Sequence, residues 1–315
     1  MKEIVRVAAA QLAPVYHDRD ATVEKACATI RQAGREGARL LAFPEAFLPG
    51  YPYWAMVLDP LSNGEFAGRL FEQAVEIPSA ATDALCAAAR EAGCQVVMGM
   101  TERAGATLYN TLLFIDADGG ILGRHRKLVP TSHERMVWGR GDGSDLEVWH
   151  TPMGTVGGLI CYEHANALYR YALQAQGEAI HIAAWPGGIC IDAIIDAAAR
   201  HYAFEMQGFV INVTALLTEE IVAALGDAAR DRAALAVGGG YTAILGPRGN
   251  FLAGPCRDEE TVLYTDLDPA ARARMKMVVD SVGHYARPDV VRLQIDKRPQ
   301  SVLVPTSTEG TAQPG

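Results

Sequence analysis

The feature that most constrains the fold of this chain is its alternation of short apolar runs with longer segments of helical periodicity. Strand-like runs occupy Val5 to Leu12 and Arg39 to Phe43, and Asp18 to Gly37 between them repeats Ala, Val and Ile at helical spacing. The order strand, helix, strand is typical of an α/β unit, whose functional loop follows the second strand. A second cycle of the same kind begins near Val156. The sequence therefore predicts two similar halves.

The same signals predict the remaining elements. Further strands are predicted at Gln95 to Met100, Leu108 to Asp116, Ile121 to Lys127, Val156 to Ile160, Ala179 to Trp185, Phe209 to Thr214, Tyr241 to Leu245, Phe251 to Leu252 and Thr261 to Leu267. Further helices are predicted at Ser79 to Gly93, Ala165 to Gly177, Asp192 to Gln207, Thr218 to Ala236 and Pro269 to Val279. Two such halves predict two sheets packed face to face with helices outside. The helix at Thr218 to Ala236 has no obvious place in that core and is predicted to be an exposed interface element.

Length and composition predict a single globular domain. The chain has 315 residues, of which 50% are hydrophobic and 21% charged, which is ample for one large core. We assign this domain to residues 1–305. Residues 306–315, which are rich in Thr, Gly and Pro, are predicted to be a disordered tail.

Charge and cysteine usage exclude several classes of partner. The chain has 28 Lys and Arg against 37 Asp and Glu, a formal net charge of −9, and no basic patch, so nucleic acid and anionic membranes are poor partners. No apolar stretch approaches the roughly 18 residues of a membrane span, and Glu3 and Arg6 interrupt the N-terminal apolar run, unlike a secretion signal. The six cysteines form no CxxC pair. Reduced thiols and a cytoplasmic location are the simplest expectation.

Three reactive side chains directly follow or close predicted strands. Glu45 follows the strand that ends at Phe43, Lys127 closes the run that begins at Ile121, and Cys161 follows Ile160. Side chains at the carboxyl ends of neighbouring strands can converge in one cleft. A carboxylate can take a thiol proton, and a lysine can stabilise negative charge on the attacked group. At a strand–helix junction, the neighbouring amide and the helix end are expected to favour the thiolate of Cys161.

Other interpretations of these residues remain open at this point. Cys161 is also consistent with a small buried hydrophobe, the commoner fate of a free cysteine, or with a Cys–His dyad formed with His164, His133 or His125. Cys161 and His164 also form half of a metal site, but no second Cys/His pair has ligand spacing, so no metal is expected. The GRGDGSD stretch lacks the ending of a phosphate loop and the acidic spacing of a calcium loop, which favours an ordinary turn.

Three stretches of the chain resemble a known family. FPEAFLPGYPYW, HRKLVPTSHERMVWGRGDGSDL and GGLICYEHANAL are similar to the three signature stretches of the nitrilases, in the carbon–nitrogen hydrolase superfamily. They occur in the family's order, and the resemblance extends to Leu293. It implies an α/β fold of the four-layer αββα sandwich type, with two mixed sheets and helices outside. It also implies pairing through helices into dimers, and homo-oligomers built from those dimers.

The resemblance also implies roles for four residues. Glu45 would be the general base, Lys127 the charge stabiliser and Cys161 the nucleophile. Glu134 would be a second glutamate that supports Lys127 and positions water. The implied reaction converts an organic nitrile to the carboxylic acid and ammonia through a cysteine thioimidate and thioester, with no cofactor.

The substrate pocket and the substrate class are less constrained by the sequence. Tyr51, Tyr53, Trp54 and Trp185 either line an apolar pocket for the nitrile or belong to the core. Tyr162 and His164, beside the cysteine, are further candidates for substrate contact.

One departure from the family pattern bears on the substrate. Nitrilases usually carry Trp directly after the cysteine, and Tyr162 is more typical of the amidase and carbamoylase branches. HERMVWGRGDG, in contrast, is closer to the nitrilase form. A nitrilase is therefore predicted, with an amidase or N-carbamoyl hydrolase as the alternative and a binding protein with a vestigial triad as the non-enzyme alternative.

Overall fold

The computed structural model describes residues 3–230 and 235–302, which form two six-stranded sheets. The strands are β1 Val5–Gln11, β2 Leu40–Ala42, β3 Gln95–Ala104, β4 Thr107–Ile115, β5 Ile121–Arg126, β6 Trp149–Thr151, β7 Gly154–Ile160, β8 Ile180–Trp185, β9 Phe209–Thr214, β10 Thr242–Leu245, β11 Phe251–Cys256 and β12 Thr261–Leu267. The helices are α1 Arg19–Arg35, α2 Trp54–Val57, α3 Gly64–Gln73, α4 Ala80–Ala92, α5 Ala167–Ala175, α6 Asp192–Met206, α7 Glu219–Leu225, α8 Asp227–Arg230 and α9 Pro269–Val278.

Both sheets are mixed, and each has three parallel strands at its centre. The first sheet has the order β12-β1-β2-β3-β4-β5, with β1, β2 and β3 parallel. The second has the order β11-β10-β9-β8-β7-β6, with β7, β8 and β9 parallel. The other neighbours pair antiparallel. The carboxyl ends of parallel strands lie at one edge of each sheet, where loops can collect functional side chains.

The sheets pack face to face, with helices on their outer faces. Val7 and Leu40 belong to the core that the two sheets share, whereas their neighbours Ala8 and Leu41 pack under α1 and α4. This alternation follows from the period of two along a strand. On the second sheet, α6 packs against β9. The predicted sandwich of two mixed sheets with outer helices is confirmed.

Local signals in the sequence explain where the helices begin and end. Asp18 caps α1 by accepting a hydrogen bond from the amide of Ala21, at 3.0 Å. Ser79 precedes α4, and Gly93 ends it in the left-handed region, at φ 58°. These predicted boundaries are therefore correct to within about two residues.

The helix predicted at Thr218 to Ala236 is wrong in length and in position. Helix α7 ends at Leu225 and is capped by Gly226, which has φ 78°, and the separate, short α8 follows it. Residues 231–234 lie outside the described part of the chain, and Leu235 forms an isolated bridge with Ile189. Ile221 and Leu225 are buried, so α7 packs into the protein and is not the exposed interface element that was expected.

Other regions also differ from the expectation. Residues 54–73, for which no element was predicted, contain α2 and α3, and Trp149–Thr151, also without a predicted element, form β6. Cys161–Ala165 form a 3-10 turn, and α5 begins only at Ala167, so the cysteine does not lie at the start of an α-helix. The predicted tail, 306–315, lies outside the described residues.

Candidate active site

The structure brings the four predicted catalytic side chains together in one buried cluster. Glu45, Lys127 and Cys161 closely follow β2, β5 and β7, and Glu134 lies in the 3-10 turn Ser132–Met136. The Sγ atom of Cys161 and carboxylate oxygens of Glu45 and Glu134 all lie within 4.8 Å of one another. Each of the four residues is at most 3% exposed. The cluster therefore lies where the carboxyl ends of strands from both sheets meet.

Close packing of the backbone fixes the position of Glu45. A Cβ atom at Gly99 of β3 would lie 1.8 Å from the carbonyl oxygen of Pro44. Only glycine permits this approach, because both contacting groups are main chain. Ala46 has φ 48°, in the left-handed region, which indicates a backbone held under strain. The loop that carries Glu45 is therefore pinned against β3.

Lys127 links the two carboxylates. Its Nζ donates to Oε1 of Glu45 at 3.0 Å and to Oε2 of Glu134 at 2.7 Å. Asn110 of β4 supports both Lys127 and Glu45. Its backbone carbonyl accepts from the backbone amide of Lys127 at 2.8 Å, and its side-chain Nδ2 donates to Oε1 of Glu45 at 2.6 Å. Asn110 was not among the residues predicted from the sequence. Its only signal there is a polar residue within an apolar strand.

Glu134 has hydrogen-bond partners for both of its oxygens. Oε2 also accepts from the amide of Thr131 at 2.7 Å, and Oε1 accepts from the hydroxyl of Tyr51 at 2.8 Å. The Tyr51 hydroxyl oxygen in turn lies 2.8 Å from Nε2 of His133, which acts as the donor because the hydroxyl proton is committed to Glu134. Tyr51, predicted as a substrate contact, is thus a neighbour of the cluster.

Cys161 begins its turn in an unusual backbone conformation. It has φ 52°, which few residues other than glycine adopt. The backbone amide of Tyr162 lies close enough to the sulfur to lower the pKa of the thiol. An N–H group beside the nucleophile is positioned to donate to an oxyanion that forms on the attacked carbon.

Glu163, which was not predicted from the sequence, anchors this turn. Its Oε2 accepts from the amide of Ile160 and lies 2.8 Å from Nε2 of His125, and its Oε1 accepts from the amide of Leu128. The Glu163 side chain therefore ties the cysteine turn to the strand end that carries Lys127. The only sequence signal for this role is a carboxylate two residues after the cysteine.

The electrostatics of the cluster follow from two carboxylates that share one ammonium. Burial raises the pKa of Glu45 to about 7, since Lys127 offsets only part of the desolvation and Glu134 opposes ionisation. Burial alone would lower the pKa of Lys127, but Glu45, Cys161 and Glu134 together raise it. We take the ammonium to be permanent and Glu45 to be the group that titrates.

The thiol also differs from the expectation. Burial raises the pKa of Cys161 well above its ordinary value, and Lys127 and the Tyr162 amide reverse only part of this effect. The surroundings of Cys161 therefore favour the thiol over the thiolate that was expected, and the carboxylate of Glu45 lies beside it to take the proton.

Glu45, Glu134 and Cys161 also have donor types that could hold a metal ion. The Lys127 ammonium, however, already lies between the two carboxylates and satisfies them as a cation would. The structure therefore assigns the positive charge at this centre to Lys127.

The other side chains that were predicted to contact the substrate lie around this cluster, and several of them have their contacts elsewhere. Tyr53 is buried and donates to the carbonyl of Gly187 at 2.7 Å, and Trp54 is buried and stacks on Phe66. The Tyr162 side chain is 36% exposed and lines a surface groove.

His164 and Trp185 lie beneath the cysteine turn. They stack on each other with ring centroids 4.9 Å apart, and each is 1% exposed. Both ring nitrogens of His164 have partners inside the protein. Their contact with substrate stays a prediction.

Comparisons with known proteins identify the family of this chain. Residues 6–277 match the carbon–nitrogen hydrolase family. A nitrilase from Paraburkholderia phymatum is 41% identical over 309 residues, which cover 97% of this chain and 91% of the relative. The chain belongs to the carbon–nitrogen hydrolase family, in its nitrilase branch.

Two further comparisons support the family and the fold. An aliphatic nitrilase from Rhodococcus rhodochrous is 42% identical over 304 residues, which cover 93% of this chain and 83% of the relative. The crystal structure of a carbon–nitrogen hydrolase from Helicobacter pylori superposes with a TM-score of 0.73 at 19% identity, over 91% of this chain and 97% of that one. In the part of the chain that the structure describes, no helix combines the length and apolarity that a membrane crossing requires.

Proposed function

We propose that this enzyme hydrolyses an organic nitrile to the carboxylic acid and ammonia. The observation that carries the proposal is the buried cluster in which Lys127 joins Glu45 to Glu134 within reach of Cys161. Nitrilases of about the same length, 41% and 42% identical to this chain, support the nitrile as the substrate.

The first half of the reaction attaches the substrate to Cys161. Glu45 takes the thiol proton as sulfur adds to the nitrile carbon, and the same proton passes to the nitrile nitrogen, which gives a neutral thioimidate. Lys127 lies beside this proton transfer and stabilises the negative charge that develops on nitrogen. A buried site suits this step because charge–charge interactions are stronger out of water.

The second half releases two products. Water, oriented by Glu134 and deprotonated by Glu45, adds to the thioimidate carbon, and Glu45 passes that proton to the nitrogen. Glu45 then moves the remaining hydroxyl proton of the tetrahedral intermediate to the nitrogen, which leaves as ammonia and gives a thioester. A second water adds in the same way and expels sulfur, which regains its proton from Glu45 as the carboxylic acid leaves. The Tyr162 amide and Lys127 donate to the oxyanion in both steps.

The residues around the cluster suggest how the substrate is held. Tyr51, Tyr53 and Trp138 pack edge to face or tilted beside Glu134 and form a wall of aromatic rings. Such a wall suits an apolar side chain and a narrow, linear nitrile group. We therefore assign the substrate's acyl side to this wall. No step requires a metal ion or an organic cofactor.

A panel of nitriles and their matching amides tests the proposal. Purified enzyme is expected to release ammonia and the carboxylic acid from at least one nitrile, with the amide at most a minor by-product. Cys161→Ser should abolish turnover, because a hydroxyl has a far higher pKa than a thiol and is a much poorer nucleophile at neutral pH. Cys190→Ser, the control, should keep activity, because Cys190 lies outside the cluster. Faster hydrolysis of amides or N-carbamoyl compounds than of every nitrile would replace this proposal by the amidase alternative.

Assembly and location remain predictions. A homo-oligomer built from dimers is supported by exposed apolar side chains on the helices that follow the cysteine. Leu168 of α5 is 61% exposed, and Ile194 and Phe204 of α6 are 42% and 46% exposed. A cytoplasmic location rests on the reduced cysteines.

A further inference from the structure

A buried chain of hydrogen bonds runs from the backbone of the nucleophile to a carboxyl group outside the catalytic cluster. Nδ1 of His164 lies 2.7 Å from the carbonyl oxygen of Cys161, and Nε2 of His164 lies 2.9 Å from Nε2 of His181. Nδ1 of His181 lies 2.8 Å from Oε1 of Glu178, whose Oε2 accepts from the hydroxyl of Tyr202 at 2.5 Å. All five residues are at most 3% exposed.

The backbone carbonyl of Cys161, at one end of this series of hydrogen bonds, fixes the donor and the acceptor in each of them. A carbonyl oxygen only accepts, so Nδ1 of His164 must carry a proton. A neutral His164 then has a lone pair on Nε2, which must accept from Nε2–H of His181. A neutral His181 in turn has its lone pair on Nδ1, directed at Glu178. That contact is a hydrogen bond only if the Glu178 carboxyl group is the donor.

We propose that Glu178, as a neutral carboxylic acid, acts through His181 and His164 to position the Cys161 turn. We call these three side chains the relay. The proposal rests on Cys161 being the nucleophile. Loss of the Glu178 proton would reverse the direction of the bonds and place a lone pair of His164 against the carbonyl oxygen of Cys161. The strained turn would then lose a contact that holds it.

The surroundings of the relay support a neutral acid. Gly157 of β7 has no side chain, and a Cβ there would lie 2.2 Å from Oε1 of Glu178, so the carboxyl group is packed against backbone and not against solvent. Burial raises the pKa of Glu178 to about 8, although the Tyr202 hydroxyl and the Arg272 guanidinium act in the opposite direction. Burial lowers the pKa of His164 to about 3 and that of His181 well below its ordinary value.

The hydrogen bond between His181 and Glu178 requires a proton, and the other charged groups near the relay do not supply it. The guanidinium of Arg272 donates to the backbone carbonyl of Glu178 at 3.1 Å, and Arg170 donates to the backbone carbonyl of His164. Arg170, together with His125, disfavours an imidazolium in the relay, while Glu163 only partly offsets this effect. Glu205, which acts on Tyr202, is paired with Arg170. The proton therefore belongs on Glu178.

The Glu178→Gln variant tests whether ionisation of Glu178 changes kcat. Its amide can donate to His181 and accept from Tyr202 as the neutral acid does, but it cannot lose a proton at alkaline pH. We expect wild-type kcat to fall as the pH rises above about 8, the value at which Glu178 ionises. Glu178→Gln should keep near-normal kcat at neutral pH and shift the alkaline fall upward by at least about one pH unit. Superposable profiles for the two proteins would overturn the proposal.

Glu178→Leu tests whether the relay positions the nucleophile. It removes the donor to His181 and should lower kcat at least about tenfold at all pH values with little change in KM, since small displacements of a catalytic group are costly. Glu24→Gln, an exposed glutamate on α1, is the matched control and should match the wild type. Wild-type kcat in folded Glu178→Leu would contradict the proposal.

Two measurements keep the test independent of the substrate and of variant folding. Alkylation of Cys161 by iodoacetamide, followed by mass spectrometry, should slow in Glu178→Leu whether or not a nitrile is turned over, so a failed relay is distinguishable from a wrong function. ¹⁵N NMR of histidine-labelled wild-type protein should show His181 neutral with its proton on Nε2. A proton on Nδ1 of His181 would place the carboxylate in its ionised form and overturn the proposal.

Discussion

Nζ of Lys127 lies 3.0 Å from Oε1 of Glu45, yet the pKa of Glu45 is raised and not lowered. The ammonium is shared with Glu134, and both carboxylates have lost their contact with water. Burial is the larger cause of the raised pKa, and the charge of Glu134 adds to it, so that Lys127 offsets only part of the effect. Glu45 is therefore a base that titrates near the pH at which it is needed.

The raised pKa of Glu45 predicts that the acidic limb of the pH–rate profile lies near neutral pH. Glu45 must be ionised to accept the thiol proton, and its pKa is about 7, so kcat/KM should rise with pH through about 7 and not through the 4.5 of an ordinary glutamate. Glu45→Gln should lower turnover by about 10²-fold to 10⁴-fold, the contribution typical of a general base. A pH–rate profile of the wild type checks the first statement. A limb centred below about pH 5 would show that Lys127 dominates the ionisation of Glu45.

Glu134→Gln should separate the two halves of the reaction. The variant keeps the shape of the side chain but weakens the orientation of Lys127 and of the attacking water, so Cys161 can still react slowly while hydrolysis of the adduct fails. Mass spectrometry of the variant with substrate should then show a trapped adduct.

Tyr51→Phe is the companion variant. It removes one of the donors to Glu134 and should cause a smaller loss of turnover, about 1–2 kcal/mol in activation free energy, with no trapped adduct. Full activity in both variants would make Glu134 a structural carboxylate only.

Gly99→Ala tests whether backbone packing holds Glu45 in place. The added Cβ would meet the Pro44 carbonyl at 1.8 Å, so β3 or the Glu45 loop must move, at a stability cost of about 1–3 kcal/mol or more. Activity should fall with stability because the same loop carries Glu45.

Gly68→Ala on α3 is the matched control for that variant. Its new Cβ meets nothing within 4 Å, and alanine favours a helix interior, so the variant should gain about 0.5–1 kcal/mol. Urea unfolding of both proteins gives the comparison. A stable, active Gly99→Ala variant would show that the loop tolerates displacement.

The sequence pointed to the residues of the cluster that lie in short local motifs, but not to those whose position depends on strand pairing. Glu45, Lys127 and Cys161 each follow an apolar run, and the resemblance of the stretches around them to a known family assigned them, with Glu134, their expected roles. Asn110 lies within a strand and is 65 residues from its partner Glu45. Its place at the site depends on the pairing of β4 with β3, against which the Glu45 loop packs, and with β5, which precedes Lys127. Glu178 is similar, because its link to the Cys161 turn passes through two other side chains.

The errors in the fold also have physical reasons. Gly226 was a local stop signal within Thr218 to Ala236, but the Ala- and Leu-rich composition favoured one long helix. Ile221 and Leu225 of that segment are apolar because they pack in the same cluster as Tyr53 and Trp54, not because they form an external interface. Periodicity indicates a buried face but does not identify what covers it.

The surface of α6 predicts a homodimer. Ile194 and Phe204 are each more than 40% exposed, which is unfavourable unless another surface covers them. A two-fold axis would place the equivalent faces against each other. Light scattering at micromolar concentration should give at least a dimer for the wild type and a smaller species for Phe204→Glu. Met277→Glu, on exposed α9, is the control and should leave the assembly unchanged. A wild-type monomer would contradict the prediction.

The last prediction concerns Tyr162, the position at which this chain departs from the usual nitrilase sequence. Its side chain is 36% exposed and lines a groove with Thr131, Arg135 and Asn166, whereas its backbone amide is the part directed at the sulfur of Cys161. If the amide carries the function, the side chain can change with little effect. We expect Tyr162→Trp and Tyr162→Phe to keep kcat/KM for the preferred nitrile within about threefold of the wild type, a difference below about 1 kcal/mol. The ratio of acid to amide product should also stay constant. A clear shift of that ratio in Tyr162→Trp, but not in Tyr162→Phe, would show instead that the side chain selects between nitrile and amide chemistry.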